Sequence, residues 1–463
     1  MKELNEIATQ RIKLTFFGIL ILGTALRLYH LNYQSLWYDE LHSIIPAAPS
    51  NSLVSIIEYA KNDQPPLFSI YIHYGFKLFG YNELVGRAAS AFIGMLGIVA
   101  IYFLGKECKG KAVGLFAALL TAISYYHIYY SQELRFYTMS FLFSMLSYLF
   151  FIRAFKRNKL IDFVGYVIFT ICLLYTHYYG LIIFCTQILT FVFLLIYKRD
   201  LKFILASITS GIVIMLSYIP WIPVIMGESD IKEFWIKPPS PFFVAVYFYD
   251  YTGKDAFTSL IFVILLFLFI QTLKNRILFN EESRLVYLIL ILWTAFSYLL
   301  PYIWSMTRTP LLHDRYTIVT LPAWFLMVAI GWDKVKDYKW KYGLSLMLVL
   351  SAMINLAFFK QHYTRLQKDQ FREAAETVKA ANPLHYPIYS GFPWHFNFYF
   401  RNIPDKVRDI NDSDLSHVTN FWLLQGHYTS DQMNAEIMKL SENFEIVEKH
   451  SQFGANAVLL KRK

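Results

Sequence analysis

The chain has 463 residues, of which 56% are hydrophobic, 18% aromatic and only 16% charged, with a mean hydropathy of +0.38, against roughly 45–50% apolar and 25% charged residues in soluble domains. An ordinary water-soluble enzyme is excluded, because the apolar surplus falls in blocks of about 20 residues, the length that crosses a hydrocarbon core about 30 Å thick. The formal net charge is +10, but the basic residues sit between apolar blocks, where membrane topology is their ordinary cause, so nucleic acid is discounted as a partner.

From the N-terminus, MKELNEIATQRIKLTFFGILILG joins a basic flank to an apolar run that continues past Leu26 without a small-residue cleavage site, and it reads as a retained first helix. Apolar windows predict eleven spans near residues 14–31, 84–105, 112–128, 136–153, 161–176, 179–197, 203–224, 257–273, 285–303, 316–332 and 342–359. With the N-terminus cytoplasmic, twenty Lys and Arg fall on the inner side, among them Lys198, Arg199 and Arg276, and eight on the outer side, among them Lys232. The positive-inside rule prefers that orientation. Residues 50–61 place Leu53, Ile56, Ile57 and Ala60 at i, i+3, i+4 and i+7, which predicts a helix on the membrane surface. Residues 66–79 open with Pro-Pro and are short for a span, so an interfacial or re-entrant helix is expected there. Cys108, Cys172 and Cys185 lie in or beside apolar segments with no CxxC pair, which speaks against a disulfide framework or a zinc finger.

An odd number of spans puts the last hundred residues outside, and from about Lys360 the composition turns soluble. FREAAETVKAANP reads as a helix, PIYSG, NFWLLQG and ANAVLLKRK as strands, with further helix and strand in MNAEIMKLSENFEIVEKH. The expected organisation is a membrane domain over 1–359 and a small extracytoplasmic α/β domain over 360–463.

Ionisable residues near membrane depth are costly and hence functional candidates. SLWYDELHS carries Asp39, Glu40 and His42; a carboxylate at the boundary can take a proton from an attacking hydroxyl or amine, although an acidic pair can equally cap a loop. NDQPPLF contributes Gln64 and a stiff Pro65-Pro66 entry to the segment carrying His73 and Lys77. In NELVGRAAS, Glu83 and Arg87 share a helix face, as a local ion pair or with Arg87 holding a phosphate. YYHIYYSQELRFY supplies His127, Gln132, Glu133 and Arg135, and THYYG holds His177 in a short turn where a packed or hydrogen-bonded ring is expected. TRTPLLHDRYTIVTLPAW supplies Arg308, His313, Asp314 and Arg315, and guanidinium groups at a membrane boundary suit a phosphate on a lipid carrier.

Taken in order, SLWYDELHS, QPPLF, ELVGRAAS, SQELRFYTMSF, THYYG and HDRYTIVTLPAW resemble the pattern of the GT-C integral-membrane glycosyltransferases, specifically the dolichyl-phosphate-mannose-protein mannosyltransferase and lipid A aminoarabinose transferase branch. The resemblance covers about residues 10–335 by motif. It implies an all-α polytopic membrane fold, about eleven transmembrane helices plus interfacial helices in the first outer loop, ahead of the C-terminal α/β domain. It also implies an inverting transfer of sugar from a polyprenyl-phosphate donor to an acceptor, lipid, glycan or protein, on the non-cytoplasmic face. The family's base maps onto Asp39 with Glu40 as companion, its QPPL stretch onto Gln64 to Leu67, its QExR stretch onto Gln132, Glu133 and Arg135, and its [ED]RY motif onto Asp314, Arg315 and Tyr316. Arg135 and Arg315 are then the expected donor-phosphate ligands, with Arg87 and Arg308 in reserve, and His42, Gln64, Glu83, Gln132, Glu133, His313, Asp314 and Tyr316 line the substrates. Arg135 and Arg315 are expected to converge on one cavity with Asp39. No cofactor is required, since phosphate is already a good leaving group; some relatives hold a divalent metal, for which Asp39, His42 and His73 would be the ligands here. The chain lacks a large domain between spans, so a bacterial cytoplasmic-membrane enzyme acting on the envelope is implied rather than a eukaryotic protein mannosyltransferase. Of two rival readings, a transporter is opposed by the scarcity of mid-span charges, the lack of a repeat between halves and the gathering of polar residues on one face, and a non-catalytic scaffold by the acidic and Arg residues of the outer loops.

Overall fold

The computed structural model describes residues 2–196, 200–228, 235–274 and 281–463; Lys198, Arg199, Lys232 and Arg276 lie outside the described residues. Helices α1 (Lys2–Leu28), α2 (Tyr38–Ile44), α3 (Leu53–Ala60) and α4 (Leu67–Phe79) precede the long α5 (Glu83–Lys109). Then come α6 (Lys111–Ile123), α7 (Tyr125–Ser131), α8 (Tyr137–Arg157), α9 (Leu160–Leu174), α10 (Tyr179–Leu194), α11 (Leu201–Tyr218) and α12 (Ile222–Glu228). After α13 (Phe243–Tyr251), α14 (Ala256–Lys274), α15 (Glu281–Thr307), α16 (Leu321–Asp333) and α17 (Tyr338–Ile354), the order is α18 (Phe371–Ala381), β1 (Ile388–Ser390), α19 (Pro393–Phe400), β2 (Val407–Asp409), β3 (Asn420–Gly426), α20 (Ser430–Leu440), β4 (Phe444–Gln452) and β5 (Ala455–Arg462).

The chain is a multi-pass membrane protein. Among the described residues seven helices are long and apolar enough to cross a bilayer, eight if α6 and α7 are taken as one bent span. The sequence windows gave eleven. The difference lies in α9 and α10, apolar helices of 15 and 16 residues that fall short of the usual length, and in α1, which carries Arg11, Lys13 and Arg27 along its apolar run. The segment 50–61 forms a helix, α3, as its periodicity predicts, and the Pro-Pro segment forms α4, 13 residues long and too short to span.

By their contacts the residues fall into two compact units: 1–29, 53–71 and 88–362 in the first; 30–52, 72–87 and 363–463 in the second. The second thus draws in most of the first outer loop together with the C-terminal residues.

Within the first unit, helices associate through close backbone approach and buried hydrogen bonds, as membrane bundles must where lipid is as apolar as the side chains. A Cβ on Gly331 would lie 1.9 Å from the Leu265 carbonyl oxygen, so only glycine lets α16 meet α14 there. Gln187 donates to Ser147 (2.7 Å), whose hydroxyl meets that of Thr170 (2.8 Å), tying α10, α8 and α9 together. The bend between α6 and α7 measures 63°. It frees carbonyls near the end of α6, and Arg27, fully buried on α1, satisfies them: its guanidinium donates to Thr121 O (2.8 Å) and Ala122 O (3.0 Å), and its Nη2 lies 2.8 Å from His127 Nδ1. This buried cation, unremarked in the sequence, holds the bend.

The second unit carries a five-stranded sheet in the order β2-β1-β3-β5-β4. β1 pairs parallel with β2 and β3, whereas β5 is antiparallel to both β3 and β4. Tyr389, Phe421, Leu423, Ile437, Phe444, Val458 and Leu460 form its core. In α18, Phe371, Ala374, Ala375 and Val378 are buried at i, i+3, i+4 and i+7, the stripe of a helix laid on a core.

Candidate active site

The second unit holds the acidic pair of the first outer loop, and its two members have different surroundings. Glu40 is fully buried. Its carboxylate accepts from Arg87 Nε (2.8 Å) and Nη2 (2.6 Å), from Lys368 Nζ (3.1 Å) and from the Trp37 amide (3.4 Å) at the start of α2. Arg87, 2% exposed, also donates to the carbonyls of Leu31 (3.3 Å), Gln34 (2.5 Å) and Ser35 (2.9 Å). A carboxylate bridged by two buried cations is architecture, and Arg87, its donors committed to protein acceptors, does not serve as a phosphate ligand. Nor does it pair with Glu83: that carboxylate accepts from Arg372, Tyr399 (2.7 Å) and the Leu36 amide (3.2 Å). The helical i, i+4 spacing allowed an Arg87–Glu83 pair, but longer-range partners took both residues. Asp39, next to Glu40 in the first turn of α2, is half-buried.

Around α2 stands an aromatic cluster. Tyr38 stacks on His395 (4.5 Å between ring centres) and His427 (4.1 Å), and His42 meets Trp394 (5.1 Å) and His395 (5.0 Å). His395 is 5% exposed; burial, with His42 and His427 beside it, pushes its pKa down to about 3. The C-terminal partners of this cluster carried no motif and were not picked out from sequence. His73 spends Nδ1 on the carbonyls of Ala47 (3.2 Å) and Ala48 (3.1 Å). Among the described residues no three His, Cys, Asp or Glu side chains gather to hold a metal, so Asp39, His42 and His73 do not fit the metal set considered for them.

The first unit holds the other motifs. Gln132, expected to line substrate, closes α1 instead: its amide donates to Arg27 O (3.0 Å) and Tyr29 O (2.9 Å), and its carbonyl oxygen lies 3.0 Å from His362 Nε2. Glu133 is buried, and Gln64 is half-buried at the entry to α4. Arg308 is exposed just past α15, where its amide bonds Trp304 O (2.8 Å).

Arg135 and Arg315, more than 170 residues apart in sequence, flank one set of rings. His177 packs between Phe136 (4.5 Å) and Tyr316 (4.7 Å). The Arg135 guanidinium lies 4.9 Å from the Phe136 ring centre, that of Arg315 lies 5.6 Å from Tyr316 and 4.6 Å from Trp235. Burial, then the charges of Arg135 and Arg315, hold His177 neutral, its pKa pushed down to about 3. Its Nδ1 accepts the Tyr179 amide (3.1 Å), so the proton of the neutral ring sits on Nε2. Asp63, just before the QPPL stretch and passed over in the sequence, lies 3.9 Å from Arg135. His313 Nδ1 is 2.5 Å from the Asp314 carboxylate and 3.4 Å from the Arg315 amide nitrogen, at the turn that carries Arg315. Two cations, one acid and a sheaf of rings thus meet at one place, supplied by the loop before α4, the start of α8, the α9–α10 turn and the segment before α16.

Residues 63–225 match a family model described as dolichyl-phosphate-mannose-protein mannosyltransferase. No curated protein matches the sequence. Among solved structures, ArnT from Cupriavidus metallidurans in the apo state is similar over 98% of both chains, with 13% identity and a TM-score of 0.65; the same protein bound to undecaprenyl phosphate gives 13% and 0.64 over the same shares. The archaeal oligosaccharyltransferase AglB from Archaeoglobus fulgidus, in complex with an inhibitory peptide and a dolichol-phosphate, is similar over 97% of this chain and 74% of that one, at 10% identity and TM-score 0.59. The likeness is one of fold. The chain has the GT-C membrane fold, with the small C-terminal sheet included in the matched length.

Proposed function

We propose that the chain is an inverting glycosyltransferase that moves a sugar from a polyprenyl-phosphate carrier to an envelope acceptor, a lipid, a glycan or a protein. The observation that carries the reading is the convergence of Arg135 and Arg315 on the His177 rings, in a fold shared with a protein solved with undecaprenyl phosphate and another solved with a dolichol-phosphate. Stacking engages a guanidinium's face, whereas phosphate is gripped by its edge, so cations laid on rings are oriented for an oxyanion. Neutral His177 adds no positive charge and gives both arginines a packed wall.

In the proposed step the acceptor's oxygen or nitrogen attacks the anomeric carbon from the side opposite the carrier. Its proton passes to the Asp39 carboxylate. The carbon–oxygen bond to the carrier breaks, and the electron pair leaves with the polyprenyl phosphate as a doubly charged group. Arg135 and Arg315 stabilise that developing charge, an interaction that strengthens in the transition state. Asp39 is assigned the base because its neighbour Glu40 is locked between Arg87 and Lys368. Asp39→Asn in purified protein, assayed by release of free carrier from a polyprenyl-phosphate sugar, is expected to lower turnover by about 10² or more with donor binding retained. Normal turnover would refute the assignment.

The proposed orientation has the N-terminus in the cytoplasm of a bacterial inner membrane and the C-terminal residues outside, supported by the distribution of Lys and Arg. Reporters fused at Lys159 and at the C-terminus should register opposite sides; agreement between them would overturn it.

A further inference from the structure

β1 and β3 lie side by side and run parallel, and the chain leaves them in opposite directions: from β1 through α19 to β2 on one side, from β3 through α20 to β4 and β5 on the other. In open α/β sheets the crevice beyond the carboxyl ends of two such strands is where ligands sit. Here Gly391, Phe392 and, in the first turn of α19, Trp394 and His395 follow β1, while His427 and Tyr428 follow β3. Directly after its strand, His427 adopts φ +62°, a left-handed conformation uncommon outside glycine.

Tyr38 occupies the space between these two strand ends. The planes of His395 and His427 lie within 24° and 14° of its own, with ring centres 4.5 Å and 4.1 Å away. A planar ring offers one stacking position on each face, so the phenol is held between the two imidazoles. Phe392 meets it edge-on, 5.8 Å between ring centres and 83° between planes. Neither nitrogen of His395 has a hydrogen-bond partner among the described residues, so that residue contributes the face of its ring. The crevice is filled from within the chain, by a side chain of the first outer loop.

Asp39 follows Tyr38 directly and precedes Glu40, whose carboxylate is clasped by Arg87 and Lys368. The clasp alone fastens α2 at one point; a second anchor on the other side of Asp39 removes the freedom of the first turn to swing about it. A base must stand within hydrogen-bond reach of the group it deprotonates, and a displacement of about 1 Å can cost roughly 10²-fold in rate.

We infer that Tyr38 is a positioning residue for Asp39, seated between His395 and His427 so that the α/β portion sets the place of the base. The inference rests on the transferase reading above and deepens it.

The test uses the full chain in lipid nanodiscs with two readouts: release of free carrier from a polyprenyl-phosphate sugar, and amide hydrogen exchange over residues 37–45, which needs no turnover. Tyr38→Leu removes the stacked ring and is expected to lower kcat by roughly tenfold or more, with carrier affinity and thermal midpoint retained. It should also speed exchange over 37–45 by about tenfold. Tyr38→Phe keeps the ring and should hold both readouts within about twofold of the parent. From the other side of the stack, His395→Leu should lower kcat and His395→Phe should keep it. Parental turnover or parental exchange in Tyr38→Leu overturns the inference. An equal loss in Tyr38→Phe overturns it as well, since the hydroxyl would then be the working part, and so does a loss matched by a collapsed midpoint or by weaker carrier binding. Normal turnover in Asp39→Asn refutes the base assignment, whereas unchanged exchange in Tyr38→Leu refutes the anchor, so the two failures are told apart.

Discussion

Arg87 in the second unit and Arg315 in the first both come from motifs at the ends of apolar segments, and from sequence either could hold a phosphate. Arg87 is 2% exposed and donates to Glu40 and three backbone carbonyls. Arg315 instead lies against the faces of Trp235, Tyr316 and Tyr137. The contrast separates two settings of an expensive charge near a membrane: one clasps a loop to a helix through a buried carboxylate, the other is laid against aromatic rings, the one proposed above to meet the carrier phosphate. Gln132 falls on the first side of that line, since it closes the end of α1.

The largest effect should come from breaking the clasp. Arg87→Met leaves the Glu40 carboxylate buried with Lys368 as its remaining cationic partner, and a buried ion pair broken on one side costs about 3–5 kcal/mol; the thermal midpoint in detergent should fall steeply. An unchanged midpoint would erase the distinction between the two arginines. The other side of the comparison is expected to respond in ligand binding. Arg135→Gln or Arg315→Gln should weaken polyprenyl phosphate by roughly 1.5–3 kcal/mol, the value of a hydrogen bond to a charged group, while the midpoint moves far less than in Arg87→Met. A midpoint that collapses without loss of carrier affinity would make them structural too.

The smallest effect concerns the histidine cluster on α2. Unfolded histidine titrates near 6.5, and folded His395 near 3. Between those values the unfolded state binds one more proton than the folded one. Stability is therefore insensitive to this group above the unfolded value and falls as pH drops below it, by at most roughly 1.4 kcal/mol per pH unit. His395→Phe keeps a ring on Tyr38 and removes that proton uptake, so acid unfolding between about pH 6 and pH 4 should become shallower. A slope identical to that of the parent would show that His395 is protonated in the fold.

Much of the architecture was legible in the chain itself. The helix at 53–60, the amphipathic stripe of α18 and the strands at 388–390 and 420–426 all follow from local periodicity, because a helix or strand needs only its own residues to reveal which face is apolar. The motifs also brought Arg135, His177 and Arg315 into view before their meeting was seen. What stayed hidden was pairing. Lys368 lies 328 residues from Glu40, Arg372 lies 289 from Glu83, and Arg27 lies 95 from the Ala122 carbonyl; none of these partners stands in a motif. The count of spans moved because hydropathy windows credited α1, α9 and α10, and register neither the charges along α1 nor the break at Ser124 that divides α6 from α7.

The sequence by itself determined that this chain lives in a bilayer, where most of its helices lie, that an α/β portion follows, and which residues are costly enough to ask for a reason. Only the tertiary structure decided which of those charges neutralise one another and which are laid on aromatic faces. Local patterns are fixed by neighbours a few residues away, whereas the use of a buried charge is fixed by whichever partner the fold brings within about 3 Å, and that distance has no counterpart along the chain.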